Sequence, residues 1–243
     1  APGAQPAPAL AQPASAPHVP ALAPGAPPAV SAARAFLASL AVQLRHAFTI
    51  LKHPLDGFSD LRHGGKGGYA GAAVLLAGVV VSLLIKPLYT GFSFQTSPLD
   101  TLRGSAVLLQ FGALFGSWVV CNYLISSIRQ GEGRFKDVFI GSVYSLFPVV
   151  LLAIPITLLS RVMTLSEASV YGFLNGLMIG WCALLFFWQV QSVQNYTVSE
   201  TAANLALSAL ALLGLWAAAF ILFGIASEFV RFIDAVLREA AMR

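Results

Sequence analysis

The chain has 243 residues, of which 57% are hydrophobic and only 10% charged, with a formal net charge of +4. A soluble domain carries roughly 25% charged residues, so a water-soluble globule of this size is excluded. The charge is also too small for a nucleic-acid binder, and it leaves the lipid bilayer as the first partner, with basic residues beside apolar spans meeting anionic headgroups.

Of the first 30 residues, 11 are alanine and nine are proline. That mixture favours extended polyproline conformations and offers no periodic apolar face. Residues 1–31 are therefore expected to be a disordered linker, and they lack the basic start and apolar core of a signal peptide. The first residue is alanine, as in a processed chain or a piece of a longer one. From Ala33 to His53, Phe36, Leu37, Leu40, Leu44, Ala47, Phe48 and Leu51 fall on one helical face, with Arg34, Arg45 and Lys52 on another. This is the pattern of an amphipathic helix lying on a membrane surface. Pro54 stops it, and "HPLDGFSDLRHGGKGG" reads as a polar, glycine-rich connection.

Five apolar runs follow, each near the ~20 residues that a membrane crossing needs. They are placed at residues 68–84, 105–128, 138–160, 170–193 and 203–227. After the fifth, Phe229, Ile233, Val236 and Ala240 recur at helical spacing, with Asp234/Arg238 and Glu239/Arg243 as acid-before-base pairs four apart. The expected fold is all-α: a polytopic five-helix bundle, residues 32–243, bracketed by N- and C-terminal amphipathic surface helices. The connecting loops give Lys86, Arg103 and Arg161 on one side against Arg129, Arg134 and Lys136 on the other. The basic residues before the first span break this tie and place the N-terminal side in the cytoplasm.

Catalytic chemistry finds no support. All four histidines, at positions 18, 46, 53 and 63, precede the first span, so no base stands beside a serine within the bilayer. There is no HExxH and no GxSxG. His46 and His53 are read as solvated polar-face residues rather than metal ligands, since metal sites carry more ligands at tighter spacing. No cofactor is expected. Cys121 and Cys182 lie inside spans and are not expected to pair. In "RQGEGRFKDVF", residues 129–139, the third glycine of a dinucleotide-binding loop is missing and no strand precedes it. The segment reads instead as a mildly basic turn. Its Arg129, Glu132, Arg134, Lys136 and Asp137, together with Arg34, Arg45 and Lys52, are the candidate docking residues for a partner protein or anionic lipid. Asp137 stands where it caps the following helix. In the spans, Asn122, Asn175 and Gln189 are uncharged polar groups suited to interhelical hydrogen bonds. Pro148 and Pro155, near Tyr144, each remove a backbone donor and kink a helix.

"KHPLDGF" (52–58), "TGFSF" (90–94), "GEGRFKDVFIGSVYSLFP" (131–148), "LLSRVMTLSEASVYGF" (158–173) and "QNYTVSETAANLALS" (194–208) together resemble the bacterial branch of the Yip-domain family, over residues 46–243. The resemblance implies five membrane helices with a cytoplasmic N-terminal segment, in a bacterial cytoplasmic membrane. The eukaryotic relatives are linked to Rab-type GTPases and vesicle traffic and carry an Asp-Leu-Tyr-Gly-Pro signature near the cytoplasmic side, which this sequence lacks. Two functions stand open. One is a non-enzymatic scaffold or adaptor binding a membrane or cytoplasmic protein, a lipid, or further copies of itself. The other is a component of a small-solute transporter. A polar cavity bounded by Asn122, Tyr144, Asn175 and Gln189 would mark the transporter; a tightly packed bundle with a basic outer face would mark the scaffold.

Overall fold

The computed structural model describes residues 29–64, 67–91, 94 and 104–241; most of the proposed linker lies outside them. The chain divides into two units, Ala1–Leu37 and Ala38–Arg243, and the bundle belongs to the second. Its elements are α1 (Ala29–Lys52), α2 (Pro54–His63), α3 (Tyr69–Tyr89), α4 (Gly104–Ile128), α5 (Phe135–Ser145), α6 (Phe147–Leu159), a 3₁₀ turn (Leu165–Glu167), α7 (Ala168–Gln194) and α8 (Val198–Ala241). No strand occurs among the described residues. Five segments are long and apolar enough to cross a membrane: α3, α4, α5 with α6, the 3₁₀ turn with α7, and α8. Helices are the expected solution, because each satisfies its own backbone where no water can.

Three details depart from the sequence pattern. The connection after Pro54 is a helix, α2: proline at the first helical position loses no hydrogen bond, and Phe58 and Leu61, three apart, are buried as its inner face. The third span is two helices. Pro148 cannot donate to the preceding turn, so the helix breaks at Leu146 (φ −86°, ψ 1°), whereas Pro155 stays inside α6. Hydroxyls take up carbonyls near these prolines, Ser145 Oγ donating to Gly141 O at 2.9 Å and Thr157 Oγ1 to Ala153 O at 2.7 Å. The fifth span and the C-terminal amphipathic stretch form one uninterrupted helix of 44 residues. At 1.5 Å per residue it is about 66 Å long, about twice the ~30 Å hydrocarbon layer, and the Asp234–Arg238 ion pair (2.8 Å) sits on its last turns.

The main core gathers around Tyr144, whose side chain is fully buried with Ala47, Ile50, Phe58, Leu61, Ala72 and Leu75. The C-terminal half of α1 therefore packs on protein. Gln43 Oε1 accepts from Gly71 N at 2.8 Å, and the Tyr144 hydroxyl donates to Gln43 O at 3.3 Å. His46, expected in solvent, is buried, its Nε2 3.0 Å from Gly57 O. Gly57 permits this fold-back, because a Cβ there would lie 2.9 Å from the Ile50 Cα. Phe36, Leu37, Val42 and Phe48 remain exposed, so only part of the amphipathic face is left for lipid. Along the bundle α3 packs on α6, α4 on α8, and α7 on α2, α5 and α6.

Candidate docking site

Residues 129–137 join α4 to α5 at the end of the bundle where α2 ends and α3 begins. Two matched helix ends build the platform beneath them. The last turn of α4 closes with Gln130 in the left-handed region (φ 58°) and Gly131 N donating to Ser126 O at 2.8 Å. The last turn of α7 closes the same way, with Asn195 at φ 57° and Tyr196 N donating to Gln191 O at 3.1 Å. Both are Schellman caps. Tyr196 stitches them together: its hydroxyl lies 3.2 Å from Ser126 O and 3.3 Å from Arg129 O. Burial pushes the Tyr196 phenol above its ordinary range while the Arg129 cation pulls it down, and the hydroxyl stays protonated as a donor.

The turn is seated rather than loose. Gly133 N donates to Gln194 Oε1 at 2.9 Å. A Cβ on Gly133 would come within 2.7 Å of Val193 Cγ1, and one on Gly131 would run into the Gln194 amide and the Tyr196 hydroxyl. Both glycines thus serve close approach as well as chain reversal. Arg62 of α2 pairs with Glu132 at 2.9 Å, Arg62 being mostly covered and Glu132 mostly exposed. Arg129 donates to Glu200 O at 3.0 Å and lies 5.7 Å from the centre of the Tyr196 ring.

These contacts sort the candidate residues. Arg129 and Glu132 are struts that hold the turn. Asp137 is not the N-cap that its position suggests: α5 starts earlier, at Phe135, with Arg134 as the N-cap, and Asp137, third in the helix, reaches back so that its Oδ2 accepts from Arg134 N at 3.3 Å. Asp137→Ala is expected to cost about 1 kcal/mol of stability, measured by denaturant unfolding in mixed micelles. Arg134 and Lys136 are exposed, Lys136 with its ammonium 5.3 Å from the centre of the Tyr69 ring. Arg45 and Lys52 are exposed on α1, as is Arg34 in the first unit. Arg62, Tyr69, Gln194, Tyr196 and Glu200 belong to the site although the motif reading passes over them. One signal was available: "TVSE" is a capping box, and Thr197 N and Oγ1 both donate to Glu200 Oε2 at 2.8 Å.

The four positions that would bound a polar cavity do not all lie together. Tyr144 belongs to the core under α1. Asn175 lies toward the other end, accepting from Lys86 Nζ at 2.7 Å and donating to Tyr171 O at 2.9 Å. Asn122 and Gln189 are each 1% exposed. The interhelical hydrogen bonds expected of these two amides do not form, since neither amide atom of Asn122 or Gln189 has a partner among the described residues, whereas Asn204 Nδ2, which the sequence reading did not single out, donates to Ser126 Oγ at 3.1 Å between α8 and α4. Cys121 and Cys182 are free thiols, and no cluster of three metal-ligating side chains occurs among the described residues.

A bundle of five apolar helices, one of them split at a proline, with a seated Gly-Glu-Gly turn at one end, defines an integral membrane protein. The Yip1 domain family matches residues 48–228, and the chain belongs to that family. No curated protein and no solved structure matches it.

Proposed function

We propose that the protein is a non-enzymatic membrane scaffold of the bacterial Yip branch, with its N-terminal side in the cytoplasm of a bacterial cell. The 129–137 turn and the adjoining face of α1 gather anionic lipid and, through it, partner proteins. The observation that carries this reading is the division of labour among the charges. Arg62, Arg129, Glu132 and Asp137 are spent on holding the turn, while Arg45, Lys52, Arg134 and Lys136 are exposed at the same end. A rigid turn presenting exposed cations can select anionic headgroups without ordering itself on binding, which removes part of the entropic cost. Transport gains no support, since neither of the pockets among the described residues is lined by Asn122, Tyr144, Asn175 or Gln189.

Each exposed cation near an anionic surface contributes about 1 kcal/mol. The double variant Arg134→Gln with Lys136→Gln should therefore weaken phosphatidylglycerol binding by roughly thirtyfold, measured by titrating that lipid into phosphatidylcholine nanodiscs carrying the protein. Thermal stability should stay near that of the parent, and the difference should shrink at high salt. Equal binding by parent and variant would reduce residues 129–137 to a structural turn.

A further inference from the structure

Between α4, α7 and α8 lies an apolar groove of about 560 Å³, walled by Phe115, Trp118, Leu146, Ala183, Phe186 and Ala209 among others. No ionisable side chain lines it. Its position within the bundle follows from helical spacing. One turn or slightly more toward the 129–134 turn from these residues stand Asn122 on α4, Ser142 on α5, Gln189 on α7 and Asn204 on α8, each at most 1% exposed. On all four elements the order is the same: tightly packed polar layer nearer the turn, apolar groove farther from it.

We propose that the groove holds one hydrocarbon chain of a membrane lipid, entering from the leaflet opposite the 129–134 turn, with its methyl end against Trp118. Size decides against a helix. A helix about 10 Å wide takes up roughly 400 Å³ per turn, so the groove would admit little more than a single turn, whereas a lipid tail is narrow enough to lie along it. Chemistry decides against a headgroup, because the walls offer no charge and the polar layer is packed shut. The same layer closes the groove on the turn side, since its side chains are each at most 1% exposed and a methylene chain offers no hydrogen bond to amides that already lack partners. Ala183 and Ala209 supply the room, as small residues among aromatic ones.

The proposal is tested on the full chain in phosphatidylcholine vesicles doped with phosphatidylcholine carrying a photoactivatable diazirine, either at the chain end or next to the headgroup. The chain-end probe should attach at Trp118 and Phe186, and the headgroup-proximal probe near Gly104 at the start of α4. Ala209→Phe and, separately, Ala183→Phe should lower the chain-end adduct about tenfold, while Ala206→Phe, on the exposed side of α8, should leave it unchanged. Adducts spread evenly over lipid-facing positions such as Leu124 and Phe220 would overturn the proposal. So would a headgroup-proximal adduct at the 129–134 end, or a crosslink from a second copy at Trp118. The wild-type adduct map stands as a test even if a filled variant does not fold.

Discussion

Tyr144→Ala is expected to cost about 3–5 kcal/mol, the range for deleting a large aromatic side chain from a packed core. The ring is fully buried where α1, α2, α3 and α5 meet, so its loss leaves a cavity that four elements would have to collapse together. Tyr144→Phe should cost only about 1 kcal/mol, the value of one ordinary hydrogen bond, since its bond to Gln43 O is long at 3.3 Å. Denaturant unfolding in mixed micelles gives both numbers. Trypsin cleavage after Arg45 and Lys52 should accelerate in the alanine variant alone, because the C-terminal half of α1 is held chiefly by this core. Equal stabilities for the two variants would mean that α1 is anchored elsewhere.

Gly131→Leu should destabilise by roughly 3 kcal/mol, combining the ~1–3 kcal/mol of overpacking with about 1 kcal/mol for the hydrogen bond that Gln194 would give up in moving away. A side chain at this position meets the Gln194 amide and the Tyr196 hydroxyl, the two groups that seat the turn. The neighbouring position should respond with the opposite sign. Gln130 holds φ 58°, a conformation that costs a non-glycine residue about 1 kcal/mol or more, so Gln130→Gly should stabilise by up to that amount. Measured melting temperatures that fall for Gly131→Leu and rise for Gln130→Gly would bear out the seated turn. A neutral Gly131→Leu would contradict it.

Span number and class were legible because they rest on long-range composition: a run of about 20 apolar residues has few alternatives to a membrane helix. What the pattern could not show were features decided by tertiary contact. His46 occupies a polar position on the α1 wheel, but α2 folds back over it, and the Gly57 carbonyl makes burial tolerable. Pro54 signals an end as readily as a beginning, and only the burial of Phe58 and Leu61 selects a new helix. The unbroken course of α8 has a similar cause, because nothing between Ser227 and Phe229 breaks a helix, and the change from apolar to amphipathic patterning is one of environment alone. In the turn, sequence reading picked out Asp137 as a capping group, since capping is local, but placed the helix start three residues late, so that Asp137 caps from the third helical position rather than the N-cap. It offered Arg129 and Glu132 as docking groups because their partners, Glu200 and Arg62, stand about 70 residues away.

In the proposed orientation, five crossings put the 129–137 turn with α1 on the cytoplasmic side and the α6–α7 connection opposite. The most direct test uses single cysteines at Lys52, Arg134 and Arg161 in a background with Cys121 and Cys182 replaced by serine, probed in intact bacteria with a membrane-impermeant maleimide. Arg161→Cys should label from outside, while Lys52→Cys and Arg134→Cys should label only after the cells are opened. Labelling of all three from one side, or of Arg134→Cys from outside, would contradict the topology and the docking surface built on it.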